Sequence, residues 1–167
     1  MDVTVLRAVN GELASLLSTA TREDLGRPTP HAGWDLGDLC LHLLAQNVAL
    51  AGVVSGGAIP RADRVATLTR SALEASLERD GGGLDVRYRR TARLLEDAFA
   101  AVEDPTRRCT TDGHGDELDV ATLYAMHVSM AVIDCCDVAH ALGRSYEPTS
   151  DLARRAVRIV RSPLAVG

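Results

Sequence analysis

The sequence predicts an all-α fold of four principal helices with one or two shorter ones, and three observations carry that prediction. Two long apolar runs, Leu36–Val54 and residues 119–143, are far longer than a strand and keep a helical rather than an alternating pattern. Every proline falls between the helical stretches and none within them. No run alternates apolar and polar residues as a half-buried strand does, and no internal repeat is visible. The 167 residues suit a single domain over 1–167, large enough to bury a real core.

Taken in order, Asp2 or Thr4 can cap a first helix running to about Ala20, with Val5, Ala8, Leu13, Leu16 and Leu17 on its apolar face. Residues 21–38 then break the pattern. Pro28 and Pro30 push their predecessors into extended geometry, and Gly26 and Gly33 permit turns. Asp35 is a good N-cap, and Trp34 just before it fits a hydrophobic staple on the first turn. The second helix, Leu36–Val54, is apolar nearly throughout, with His42 and Gln46 as an i, i+4 polar pair and Asn47 beside them.

A more polar helix fits residues 62–77, with Val65, Leu68, Ala72 and Leu73 inward, before the glycine run at 80–83 breaks the chain. Residues 84–102 return to helical period, with Tyr88, Thr91, Leu94, Leu95, Ala98 and Phe99 inward. Arg87, Arg89, Arg90 and Arg93 point outward, as a solvated face paired with Glu96 and Asp97 or, alternatively, as an anion-binding cluster. Residues 103–119 form a long connection holding His114. After the long helix at 119–143, a short helix restarts at Thr149 or Ser150 and ends near Pro163.

Charge and composition exclude several function classes. A net charge of −5 and the absence of lysine leave no basic surface for nucleic acid. No stretch reads as the ~20 consecutive apolar residues of a membrane span. Asp2 and Glu12 stand where an export signal needs positive charge and then an unbroken apolar core, so a cytoplasmic protein is expected. Cys40, Cys109, Cys135 and Cys136 include no CxxC spacing, which favours reduced thiols acting as small hydrophobes.

Within the long helix, His127, Met130, Asp134 and Asp137 follow at i, i+3, i+7 and i+10 and share one stripe. Ala125, Val128, Val132, Cys136 and Ala139 make the opposite, apolar face. Carboxylates in so apolar a helix either face water or line a cavity where they are paired. In the second case His42 and Asp134 form an imidazole–carboxyl pair tuned toward neutral pH, with His127 beside them. Gln46, Tyr124, Met130 and Asp137 are then the candidates for binding a small-molecule substrate.

Two blocks carry a family resemblance. TPHAGWDLGDLCLHLLAQN, residues 29–47, resembles the "P, then GW, then DL, then H" segment of the DinB-like superfamily, specifically its mycothiol-dependent, maleylpyruvate-isomerase-like branch. DCCDVAHALGRSYEP, residues 134–148, is similar to that branch's "HGWDLARALG" run. The resemblance implies a DinB-like four-helix bundle holding a divalent metal, zinc or nickel, by three side chains, with mycothiol as the thiol cofactor. The first ligand falls on His42 and the other two fall on Met130 and Asp134. Here the chain departs from the pattern, since a thioether replaces one ligand and a carboxylate replaces an imidazole. Cys136 stands for the family's tryptophan, while Asp137 is retained. His127 is two turns, about 10.5 Å of rise, from Asp134, too far for both to grip one ion at ~2.1 Å.

Three readings follow. The first is a metal-independent enzyme, without a cofactor, performing isomerisation, dehydration or cyclisation in a specialised pathway, with His42, Asp134 and His127 as catalytic candidates. The second is a metal-dependent mycothiol transferase or isomerase with His42 and Asp134 as metal ligands. The third is a non-catalytic binding or structural bundle. An exposed apolar side on one helix would make a homodimer natural.

Overall fold

The computed structural model describes residues 1–57, 69–77, 83–110 and 117–161. The expectations placed on Val65, Leu68, the glycines at 81 and 82, His114 and the end at Pro163 lie outside them. The described chain is helical with one small hairpin. Helix α1 is Thr4–Leu17, α2 Leu36–Val54, α3 Arg70–Leu77, α4 Leu84–Ala100, α5 Val120–Ala141 and α6 Ser150–Arg161. Strands β1, Arg108–Thr110, and β2, Glu117–Asp119, pair antiparallel just before α5. At three residues each they are too short for alternation to show in the sequence.

Local chemistry sets the helix ends. Asp2 accepts from the Thr4 amide at 2.9 Å ahead of α1. Beyond Leu17 the hydroxyls of Ser18 and Thr19 turn back to the carbonyls of Ser15 and Leu16, so α1 stops three residues short of the expected end. A capping box starts α2: the Asp35 carboxylate accepts from the Asp38 amide at 2.9 Å, and Asp38 accepts from the Asp35 amide at 3.3 Å. Arg70 of α3 clamps Asp35 at 2.6 Å, and a Cβ on Gly37 would run into that guanidinium. Asp119 caps α5 through the Thr122 amide at 2.7 Å. Gly143, with φ +69, closes α5 in a Schellman motif: the Arg144 amide bonds Ala139 O at 2.8 Å and the Gly143 amide bonds His140 O at 2.9 Å.

Packing follows the apolar faces. α4 lies against both α2 and α1, α1 lies against α5, and α6 covers α5 and α1, whereas α2 and α5 meet only lightly. The core is filled by Leu6, Val9 and Leu13 of α1, Leu36 and Leu39 of α2, Leu95 and Phe99 of α4, and Tyr124 and Val128 of α5, all essentially inaccessible. Two inward expectations are corrected: Leu94 is 46% exposed, and Cys136, assigned to the apolar face of α5, is also exposed. All four cysteines are unpaired, and burial pushes the thiols of Cys40 and Cys135 up to about 12.

Both α2 and α5 are in fact long and apolar enough to cross a membrane by length and composition. In the bundle their apolar faces are instead buried against α4 and α1, which suffices to account for their composition.

Candidate functional site

Where α2 and α5 meet lightly, the segment ahead of α2 joins them. The segment ahead of α2 doubles back on itself. Leu36 N–H bonds Arg27 O at 2.9 Å and Thr29 N–H bonds Trp34 O at 3.1 Å, while Trp34 N–H closes a turn on His31 O at 3.0 Å. Gly33 sits in that turn with φ +81, a conformation other residues resist. The Thr29 hydroxyl accepts from the His31 amide at 3.2 Å and donates to Trp34 O at 3.0 Å, which fixes both side chains' starting points.

From this hairpin His31 reaches across to α5, its Nε2 3.0 Å from Asp137 Oδ2. Trp34 lies between His31 and His42. Its ring centroid is 5.5 Å from that of His31 and 5.1 Å, edge to face, from that of His42 on α2. Trp34 is therefore a platform against His42, 37% exposed, rather than only a staple on the first turn of α2. His42 itself is exposed, yet partial burial of its ring, followed by the proximity of His31, lowers its proton affinity.

One turn back on α5, Asp134 is 6% exposed with no hydrogen bond or ion pair among the described residues. Burial, reinforced by the Asp137 charge and opposed by His31, pushes its carboxyl up to about 7. It is an acid poised to gain or lose a proton near neutrality.

Placement of the other candidates is uneven. Among the described residues His42 and Asp134 make no direct bond, and the imidazole–carboxylate pair at this site is His31 with Asp137. His127 is 5% exposed, its Nε2 has no partner among the described residues, and burial pushes its pKa down to about 4. Tyr124, expected to orient a substrate, is corrected to a core residue. It is wholly buried edge-on against Phe99, with its hydroxyl near the α1 backbone at Leu6 but closing no proper hydrogen bond there. Gln46 is half-buried on α2, one turn beyond His42. Met130 is 41% exposed, between Asp134 and the outer apolar positions Met126 and Ile133.

His31 escaped the sequence reading. Its only signal there is a histidine held between prolines and glycines directly ahead of a helix cap.

These residues are a poor fit to a three-ligand divalent metal. Among the described residues no group of three or more His, Cys, Asp and Glu side chains is arranged to hold one. Met130, at one of the three expected ligand positions, offers only a thioether, a weak donor for zinc or nickel.

The all-α bundle is that of a DinB-like protein, and the His31–Asp137 pair and the buried Asp134 lie where α2 and α5 meet. The family model for the mycothiol maleylpyruvate isomerase N-terminal domain matches residues 6–134, and the chain belongs to that family. No curated protein and no solved structure matches it.

Proposed function

We propose that the protein is a small-molecule enzyme that moves protons where α2 and α5 meet, catalysing an isomerisation, dehydration or cyclisation without a metal. The observation that carries the reading is Asp134, a buried carboxyl pushed up to about 7 and set beside the His31–Asp137 pair. A group that ionises near neutrality exchanges a proton with a substrate at little cost in either direction, so it can act as general acid or base. Asp137 orients His31, and His31, 46% exposed at its side chain, can pass a proton on to water. His42 packs against Trp34, and Met130 with Trp34 supplies exposed apolar surface for the substrate body.

Family membership favours a second reading, in which a divalent metal at His42 and Asp134 activates mycothiol. The metal would lower the thiol's pKa and so supply the thiolate. The donor set argues against it, because a thioether stands at the third position.

Elemental analysis of the untagged protein and of His42→Ala separates the two. Near one equivalent of zinc or nickel that disappears in the variant overturns the metal-free proposal. The proposal expects no stoichiometric metal in either protein. It also expects an infrared band from a protonated carboxylic acid that titrates near neutral pH and is missing in Asp134→Asn.

A further inference from the structure

The face of the bundle between α1 and α4, across from the α2–α5 edge, carries a second cluster that the acid–base site does not use. We propose that this groove binds a small dianionic oxyanion, a phosphate or a dicarboxylate, through Arg7, Arg89 and Arg93.

The groove has a volume of about 310 Å³ and the three arginines converge on it. Its floor is already neutralised and held. Glu96, 8% exposed, accepts from Asn10 Nδ2 at 2.7 Å and lies 3.5 Å from Arg7 Nε, and Asn10 in turn accepts from the Tyr88 hydroxyl at 2.8 Å. Against the carboxylates of Glu96 and Asp85, the three arginines leave one positive charge in excess. Arg89 has Asp85 at 3.8 Å, and Arg93 has no ion-pair partner among the described residues. Arg89 and Arg93 are also one turn apart on α4, where like charges repel. Such a surplus of positive charge, in a chain of net charge −5, has its natural partner in an anion.

Gly11 is an independent observation that points to a ligand. It stands in the middle of α1, where glycine is the poorest choice after proline. Its backbone is not in the left-handed region, and a Cβ built on it meets nothing within 4 Å. Neither conformation nor packing requires glycine here. Gly11 lines the groove, so the space a Cβ would take is space left for a molecule lying against the helix. Planar guanidinium forks match carboxylate and phosphate oxygens in paired hydrogen bonds, which sets the ligand class.

The test is titration calorimetry on the full chain with inorganic phosphate and with succinate, each against chloride at matched ionic strength. Saturable binding of at least one ion is expected, weakened ~10-fold or more by Arg93→Gln and by Arg89→Gln. It should also weaken in Gly11→Ala, although that change raises the melting temperature of the free protein. Preference for phosphate identifies a phosphate-bearing ligand, and preference for succinate a dicarboxylate. No saturable heat with either ion beyond that of chloride, or binding that survives both arginine substitutions, overturns the proposal.

Discussion

Replacing Asp134 with asparagine should make the protein more stable, and only where the carboxyl would otherwise ionise. In the unfolded chain this group titrates near 3.8, whereas in the fold burial and the Asp137 charge hold its proton up to about 7. Between those values the folded state binds more protons than the unfolded one, so stability falls as pH rises and the loss is complete above the folded value. At 1.36 kcal/mol for each pH unit, the interval corresponds to about 4 kcal/mol. Asparagine keeps the shape of the protonated acid and cannot ionise. Urea unfolding followed by circular dichroism near pH 4 and near pH 8 should give two proteins of similar stability in acid. The variant should be ahead by as much as about 4 kcal/mol in base. Comparing the two proteins at the same pH cancels every other titrating group. An equal stability difference at both ends would refute the argument that Asp134 is held protonated by its surroundings.

His127 has the opposite sign. Its folded value is depressed from 6.5 to about 4, so stability is present above 6.5 and is lost as pH falls toward 4. Relative to wild type, His127→Gln should gain about 3 kcal/mol between near pH 7 and near pH 4 in the same unfolding assay. Asn10→Leu should cost about 2 kcal/mol by calorimetry, because it removes the buried hydrogen bonds that Asn10 gives to Glu96 and accepts from the Tyr88 hydroxyl. Gly143→Ala, at φ +69 in the Schellman motif, should lower stability by about 1 kcal/mol without changing the helical signal. Asp137→Asn should alter stability by less than about 1 kcal/mol, since the His31 side of the pair is exposed, yet it should lower turnover once a substrate is in hand.

What was legible in the sequence is what is local. The limits of α2 and its Asp35 cap could be read directly, because a cap and a run of apolar residues signal themselves within a few positions. The His31–Asp137 pair could not, since it joins residues 106 apart and depends on how the segment ahead of α2 folds back. The stripe from His127 to Asp137, one surface by its spacing, is in the fold a boundary between core and solvent. Steps of three and seven residues fall short of whole helical turns, so the stripe drifts around α5. It begins buried at His127, is still buried at Asp134, is half-buried at Asp137 and is exposed at Met130. Exposure of His42 was equally hidden, because an apolar helix does not announce which of its sides a neighbour leaves open.

The energetics of Asp134 bear on the choice between an enzyme and an inert bundle. At neutral pH the fold forgoes about 4 kcal/mol by holding that carboxyl protonated, a large fraction of the ~5–15 kcal/mol that keeps an ordinary domain folded. Asparagine would fill the same space without that cost, and no salt bridge or hydrogen bond of Asp134 among the described residues offsets it. A bundle whose role was only structural would gain by losing the carboxyl. What asparagine cannot do is take up and release a proton. The expense falls, moreover, where α2 and α5 meet lightly, beside the His31–Asp137 pair. Under the proposed function, proton transfer to a bound molecule is the use that accounts for that cost.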